Sequence, residues 1–471
     1  MLEAVPGGDL MSESRRMIAR SGPGWCDGTS RREFLRVGAF GLGGLTLADL
    51  LRLRAAPQRA ARAESCVLIF LNGGMSHLDT FDPKPGQPLE IRGEFATVRT
   101  STPGLVMTEH LPKLGRLAHH LTVVRSVGFD GRLGNHSPAC YHVLTGREPQ
   151  GEDAVLAPPR PTDHPSMGSA VSRLRPAPGS VPSFVMVPDA LIENAHLTPG
   201  QFAGWLGGRH EAFRLQGDPS LPDFSVSSLV RPADVSDERM AARRELLGRL
   251  GSGRMSRELD VYHERAFDLL SSPRTQAAFD IATEPPRARD RYGRDKFGQS
   301  VLLARRMVEA GVRFVNVHWP NVGGGSNWDT HSNGFNRLKN NLLPLADRAI
   351  AALLDDLDDR GLLKETLVLI LTEFGRAPQI GRTFQNSGGP GGRDHWSNCF
   401  SVVLAGGGMP GGRAYGSSDA KGAYPADRPL TPADLTATVY RALGIDPGVT
   451  LHDAEGRAHQ LCDGKPSTEL L

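Results

Sequence analysis

Histidine and carboxylate side chains recur together in short polar segments of this sequence, a combination that suits a divalent cation. The segments are Asn72-Gly73-Gly74-Met75-Ser76-His77-Leu78-Asp79, Asn135-His136-Ser137-Pro138, Trp328-Asp329-Thr330-His331, Thr372-Glu373-Phe374-Gly375-Arg376 and Arg393-Asp394-His395-Trp396. Mixed nitrogen and oxygen donors fit zinc, manganese or iron, and with more oxygens magnesium or calcium. Asp329-Thr330-His331 sets two such donors on one short loop, a compact half-site. Any one segment is weak support, because an Asp or His in a turn is usually only solvated, and Asp79 or Asp394 could simply cap a helix. Their position relative to the elements that carry them matters more.

Residues 66–71 form a continuous apolar run that ends at Asn72-Gly73-Gly74, which reads as a strand buried on both faces and running into a glycine turn. Residues 121–125, 313–317, 366–371 and 400–404 look alike, the last ending in Gly406-Gly407-Gly408. Helical periods at 299–310 and 340–360 lie between them. This alternation predicts an α/β fold, a mostly parallel sheet with helices on both faces. Residues 232–292 are charged and helical in period, over 234–250 and 256–270, and read as a helical insertion. Residues 150–180 and 380–393 read as Pro- or Gly-rich loops. Thr431 and Pro432 open a final helix that stops near Gly444. In such sheets ligands bind beyond the carboxyl ends of the strands, where the polar segments fall. Solvation alone gives no reason for them to coincide there.

The N-terminus carries a transport signal. Ser30-Arg31-Arg32-Glu33-Phe34-Leu35-Arg36 precedes a short, glycine-rich apolar run, and Ala61-Arg62-Ala63 fits a small-x-small cleavage site. This pattern predicts twin-arginine export, with residues 1–63 as signal, the translocase as a transient partner, and 64–471 as the mature, periplasmic or otherwise exported chain. The run is too short to span a bilayer stably. Of 54 basic and 52 acidic side chains, ten arginines and six acids lie in residues 1–63, which leaves 44 and 46, a net charge near −2. No basic stripe survives, so nucleic acid is not an expected partner. Cys66, Cys140, Cys399 and Cys462 are widely spaced and give no thiolate zinc signal.

The stretch from Gly73 through Asp82-Pro83-Lys84-Pro85, with Trp328-Asp329-Thr330-His331 and Thr372-Glu373-Phe374-Gly375-Arg376, resembles the bacterial family called domain of unknown function 1501, over nearly all of the mature chain. That family is placed among alkaline phosphatase-like proteins, with sulfatases and phosphatases. Residues 136–147 are similar to the sulfatase signature C-x-P-S-R-x-x-x-x-T-G-R. The departures are specific. The superfamily's first-strand metal Asp falls at Asn72, and the nucleophile that becomes formylglycine falls at His136. The signature Ser-Arg pair becomes Ala139-Cys140, and a late Asp-His step becomes Glu373-Phe374. The resemblance therefore implies the fold without formylglycine chemistry.

From these residues the expectation is a metal-dependent hydrolase of sulfate or phosphate esters, acting on a small molecule or carbohydrate ester. Asp329, His331, Glu373, Asp394 and His395 would hold the cation, with His77, Asp79 and the weaker amide of Asn72 completing the set. Ser137 would be the nucleophile, and His136 a general base or itself the nucleophile. Arg376 or Arg393 would clamp the anionic oxygens. The opposing expectation is a binding or scaffold protein that kept the fold and lost the chemistry, favoured by Asn72, His136 and Phe374.

Overall fold

Strands that are apolar along their whole length have no face to give to water, so they pair in the interior of a sheet covered on both sides. The computed structural model describes residues 61–129, 133–149, 158–193, 196–226, 235–250, 272–320, 327–381 and 391–471, with Phe267 and Leu270. Its central sheet has eight strands. They are β1 (Ser65–Phe70), β2 (Leu121–Val127), β3 (Phe184–Val187), β4 (Phe213–Arg214), β5 (Phe314–His318), β6 (Thr366–Leu371), β7 (Phe400–Gly406) and β8 (Arg413–Tyr415). The spatial order is β8-β2-β7-β6-β1-β5-β3-β4. Every pairing is parallel except those of β7, which runs against both β6 and β2.

The helices that cover the sheet are α1 (His136–Thr145), α2 (Met167–Leu174), α3 (Lys296–Glu309), α4 (Leu343–Asp359) and α5 (Pro432–Ala442). Side chains alternate across a strand, and β1 shows the consequence. Val67 and Ile69 pack with Leu302 of α3 and Leu353 of α4. Cys66, Leu68 and Phe70 pack on the other side with Val143 of α1, Val171 of α2 and Val439 of α5. The expected mostly parallel α/β sheet with helices on both faces is the fold. At α5 the Thr431 hydroxyl accepts from the Asp434 N–H and the Asp434 carboxylate accepts from the Thr431 N–H, a reciprocal cap at the expected residue.

Some local expectations change. β3 is a four-residue run closed by Pro188, too short to stand out from a loop, and β4 and β8 are shorter still. The expected loop over 150–180 contains α2, started where the Ser166 hydroxyl accepts from the Ser169 N–H at 3.2 Å. In the insertion, helices cover Asp237–Leu250, Pro273–Phe279 and Pro286–Tyr292. The expected helix over 256–270 lies almost wholly outside the described residues, as does the expected export signal up to residue 60. Because β7 is reversed, its terminal glycines sit at the far edge of the sheet, with Gly407 against Leu367 and Ala63. No described helix is long and apolar enough to cross a membrane.

Candidate metal centre

The reversal of β7 brings the polar segments together. Phe70 lies level with His318 and Leu371, and Phe400 level with Val127. The loops that follow β1, β2, β5 and β6, and the loop that precedes β7, therefore all leave one edge of the sheet. Gly73 makes the closest approach possible. At φ +114° it lies so near the Asp329 loop that a Cβ would stand 2.4 Å from the Asp329 nitrogen. The Trp328 N–H donates to the Asn72 carbonyl at 3.0 Å, which ties the two loops.

Asp329 is the centre of the arrangement. Its Oδ1 lies 3.0 Å from His331 Nε2 and 3.2 Å from His395 Nε2, and the two imidazole nitrogens are 2.9 Å apart. His136 Nε2 stands 3.6 Å from Asp329 Oδ2. The His395 Nδ1–H donates to the Gly134 carbonyl at 2.7 Å, which leaves its Nε2 a lone pair. His331 Nδ1 stands 3.3 Å from Asp394 Oδ1. With the His331 proton on that side, two imidazole lone pairs and a carboxylate converge on one point, an arrangement that a cation relieves. Donors held at about 2.0–2.1 Å from one ion lie roughly 3–3.4 Å from each other, so the observed triangle fits. His136, Asp329 and His395 form one group of converging donor atoms, and His331, Asp394 and His395 another.

The charges follow from the same contacts. Burial alone would raise the Asp329 carboxyl, but its contacts with His136, His331 and His395 and the charge of Arg376 hold it far below the usual range. Burial opposes charge on His136 too, yet its bonds to Asp329 and Glu373 push it up to about 10. Burial, with the charges of Arg376 and His136, lowers His395. Glu373 is lowered against its own burial by the bond and charge of His136. It stands behind His136, whose Nδ1–H donates to Glu373 Oε1 at 2.7 Å, and the same oxygen takes the Gly73 N–H at 2.7 Å. Phe374 packs its ring 5.0 Å from His136 and 4.4 Å from His395, so this apolar residue orients two imidazoles.

Other expected site residues serve elsewhere. Arg376 is fully buried and donates to the carbonyls of Gly73, Gly74 and Arg393, and to Asp329 Oδ1 at 2.5 Å. It aims Asp329 and has no fork left to clamp an ester. Arg393 donates to both oxygens of Asp79, at 2.8 and 3.0 Å, and to the carbonyls of Ile91, Ala377 and Pro378. The pair is structural and takes Asp79 out of the expected ligand set. His77 meets the Gly422 carbonyl through Nε2 at 2.7 Å and joins neither donor group. Ser137 donates to Glu193 Oε2 at 2.5 Å, a partner on a two-residue strand that no motif marked. Asn72, His136, Glu193, Asp329 and Glu373 line a cavity of about 250 Å³.

The sequence profile described as "Protein of unknown function (DUF1501)" matches residues 63–471. No curated protein matches the chain. Among solved structures it is similar to the PsFucS1 sulfatase from Pseudoalteromonas sp., at 14% identity over 87% of this chain and 72% of that one, with a TM-score of 0.38. It is also similar to the lipoteichoic acid synthase LtaP from Listeria monocytogenes, at 12% identity over 83% and 74%, with a TM-score of 0.37. A protein in the alkaline phosphatase superfamily from Vibrio parahaemolyticus matches at 10% identity over 82% and 68%, with a TM-score of 0.35.

Proposed function

The chain belongs to the DUF1501 family of proteins of unknown function, and from that premise we propose an exported, metal-dependent hydrolase of sulfate or phosphate esters that works without formylglycine. The observation that carries this reading is the triangle of Asp329 Oδ1, His331 Nε2 and His395 Nε2, with sides of 3.0, 3.2 and 2.9 Å. These three residues would hold the cation, with Asp394 beside His331. A bound divalent ion supplies polarisation of an ester oxygen and a lowered pKa for bound water. The chain's own residues do the rest. The Gly134 carbonyl fixes the His395 tautomer, Arg376 aims Asp329, and the Glu193 carboxylate is placed to accept the Ser137 proton. In the resemblance to the sulfatase signature His136 takes the position of the formylglycine precursor, which supports chemistry of another kind. The cavity beside the triangle suits a small-molecule or carbohydrate ester, and the Arg31-Arg32 segment supports export.

A second reading, a binding protein without catalysis, is favoured by one observation. Arg376 and Arg393, the expected anion clamps, are both committed to carbonyls and carboxylates of the chain itself. Metal analysis by inductively coupled plasma mass spectrometry on residues 64–471 separates the two. One or two tightly held divalent ions per chain are expected, with His331→Ala lowering the content at least tenfold. Wild-type metal content in the folded variant would remove the ligand assignment. No uptake of zinc, manganese, magnesium or calcium by either protein would leave the binding-protein reading in place.

A further inference from the structure

A second cavity, of about 420 Å³, shares the walls Asn72, Leu191 and Ile192 with the first. Its size is that of a small-molecule site, roughly 300–1,000 Å³. One wall is His318, the last residue of β5 and 1% exposed. The His318 Nδ1–H donates to the Asp189 carbonyl at 2.9 Å, so Nε2 carries a lone pair, and that atom is buried without a hydrogen-bond partner. Burial lowers this imidazole to about 4, so it is a neutral acceptor at physiological pH. Asn72 Oδ1 is a second buried acceptor without a partner. Such groups are costly to leave unmade, and a ligand that supplies their protons gains what the folded chain lacks.

The rest of the lining narrows the chemistry. Trp319 gives an apolar wall, Ile192 and Leu197 stand exposed at 58% and 39%, and Arg214 brings a cation. Fixed acceptors among apolar surfaces match a ring with hydroxyl donors on its edge and C–H groups on its faces. We propose that this cavity seats the alcohol half of the ester, a sugar-sized polyol whose hydroxyls donate to His318 Nε2 and Asn72 Oδ1, with Arg214 placed for an acidic substituent. The assignment of an ester rests on the hydrolase reading, and the two cavities share the wall at Asn72, with Asp329 lining the first.

The test uses methyl pyranosides of glucose, galactose, mannose and glucuronic acid, which carry no ester and need no metal to bind. Binding to the chelator-treated protein is followed by saturation-transfer NMR and titration calorimetry. At least one glycoside should bind saturably, weakened at least tenfold by His318→Phe and by the rim variant Ile192→Asp, and unchanged in His331→Ala. Absence of saturable binding by all four would mean a cavity filled by water only and would overturn the proposal. Undiminished binding in both cavity variants would place the sugar elsewhere and overturn it equally. Metal content of the same preparation reports separately on the cation site, so the two readings fail independently.

Discussion

Asp79 and Arg393 are 3% and 2% exposed and bind each other through two hydrogen bonds. Removing one partner of a buried pair leaves the other charge without compensation, at a cost of about 3–5 kcal/mol. Asp79→Asn is therefore expected to lose stability of that order in urea denaturation while keeping wild-type metal content. A loss below about 1 kcal/mol, or a matching loss of metal, would return Asp79 to the cation site. In sequence, Asp79 and Asp329 look alike, each close to a histidine and following a glycine-containing loop or turn. Their roles diverge because Arg393 faces one and His331 and His395 face the other. Spacing places His331 beside Asp329 but does not carry that distinction, since Arg393 lies 314 positions from Asp79 and His395 lies 66 from Asp329.

At the scale of elements, the turn after β1 decides whether the cation site can close. Gly73 occupies a backbone conformation that favours glycine, and a Cβ there would meet the Asp329 nitrogen at 2.4 Å and the Trp328 nitrogen at 2.7 Å. Gly73→Ala should push Trp328-Asp329 outward and weaken metal binding at least tenfold in chelator competition. Gly361, at φ +70° with nothing within 4 Å of an added Cβ, is the control. Gly361→Ala should cost only about 1–2 kcal/mol of backbone strain and leave the metal in place. Equal metal affinity in both variants would show that the close approach is not needed. The turn itself was legible as Asn72-Gly73-Gly74 behind an apolar run. What it packs against was not, because a contact between residues 73 and 329 leaves no local pattern.

At the scale of the whole molecule, three histidines tie stability to pH. Burial lowers His142, His164 and His318 each to about 4. Unfolded histidines titrate near pH 6.5, so between about 6.5 and 4 the unfolded chain binds more protons and stability rises with pH. That contribution is complete above about pH 6.5 and lost toward pH 4, at up to about 1.4 kcal/mol per pH unit for each histidine. Thermal melts of the metal-free protein should show Tm falling steadily from pH 7 to 4.5. A flat profile would mean that these imidazoles are not held neutral by the fold.

The fold class was legible in the chain, because burial on both faces forces unbroken apolar strands and their helical covers are written in periodicity. So were the donor types, since Asp329, His331, Asp394 and His395 carry their chemistry wherever they lie. Which of them meet depends on how the strands assemble. One reversed strand, β7, delivers His395 to the edge where Asp329 and His331 already stand, and sends Gly406-Gly407-Gly408 to the other. Strand direction depends on which neighbour offers hydrogen bonds across the sheet, a long-range choice that composition and period do not encode.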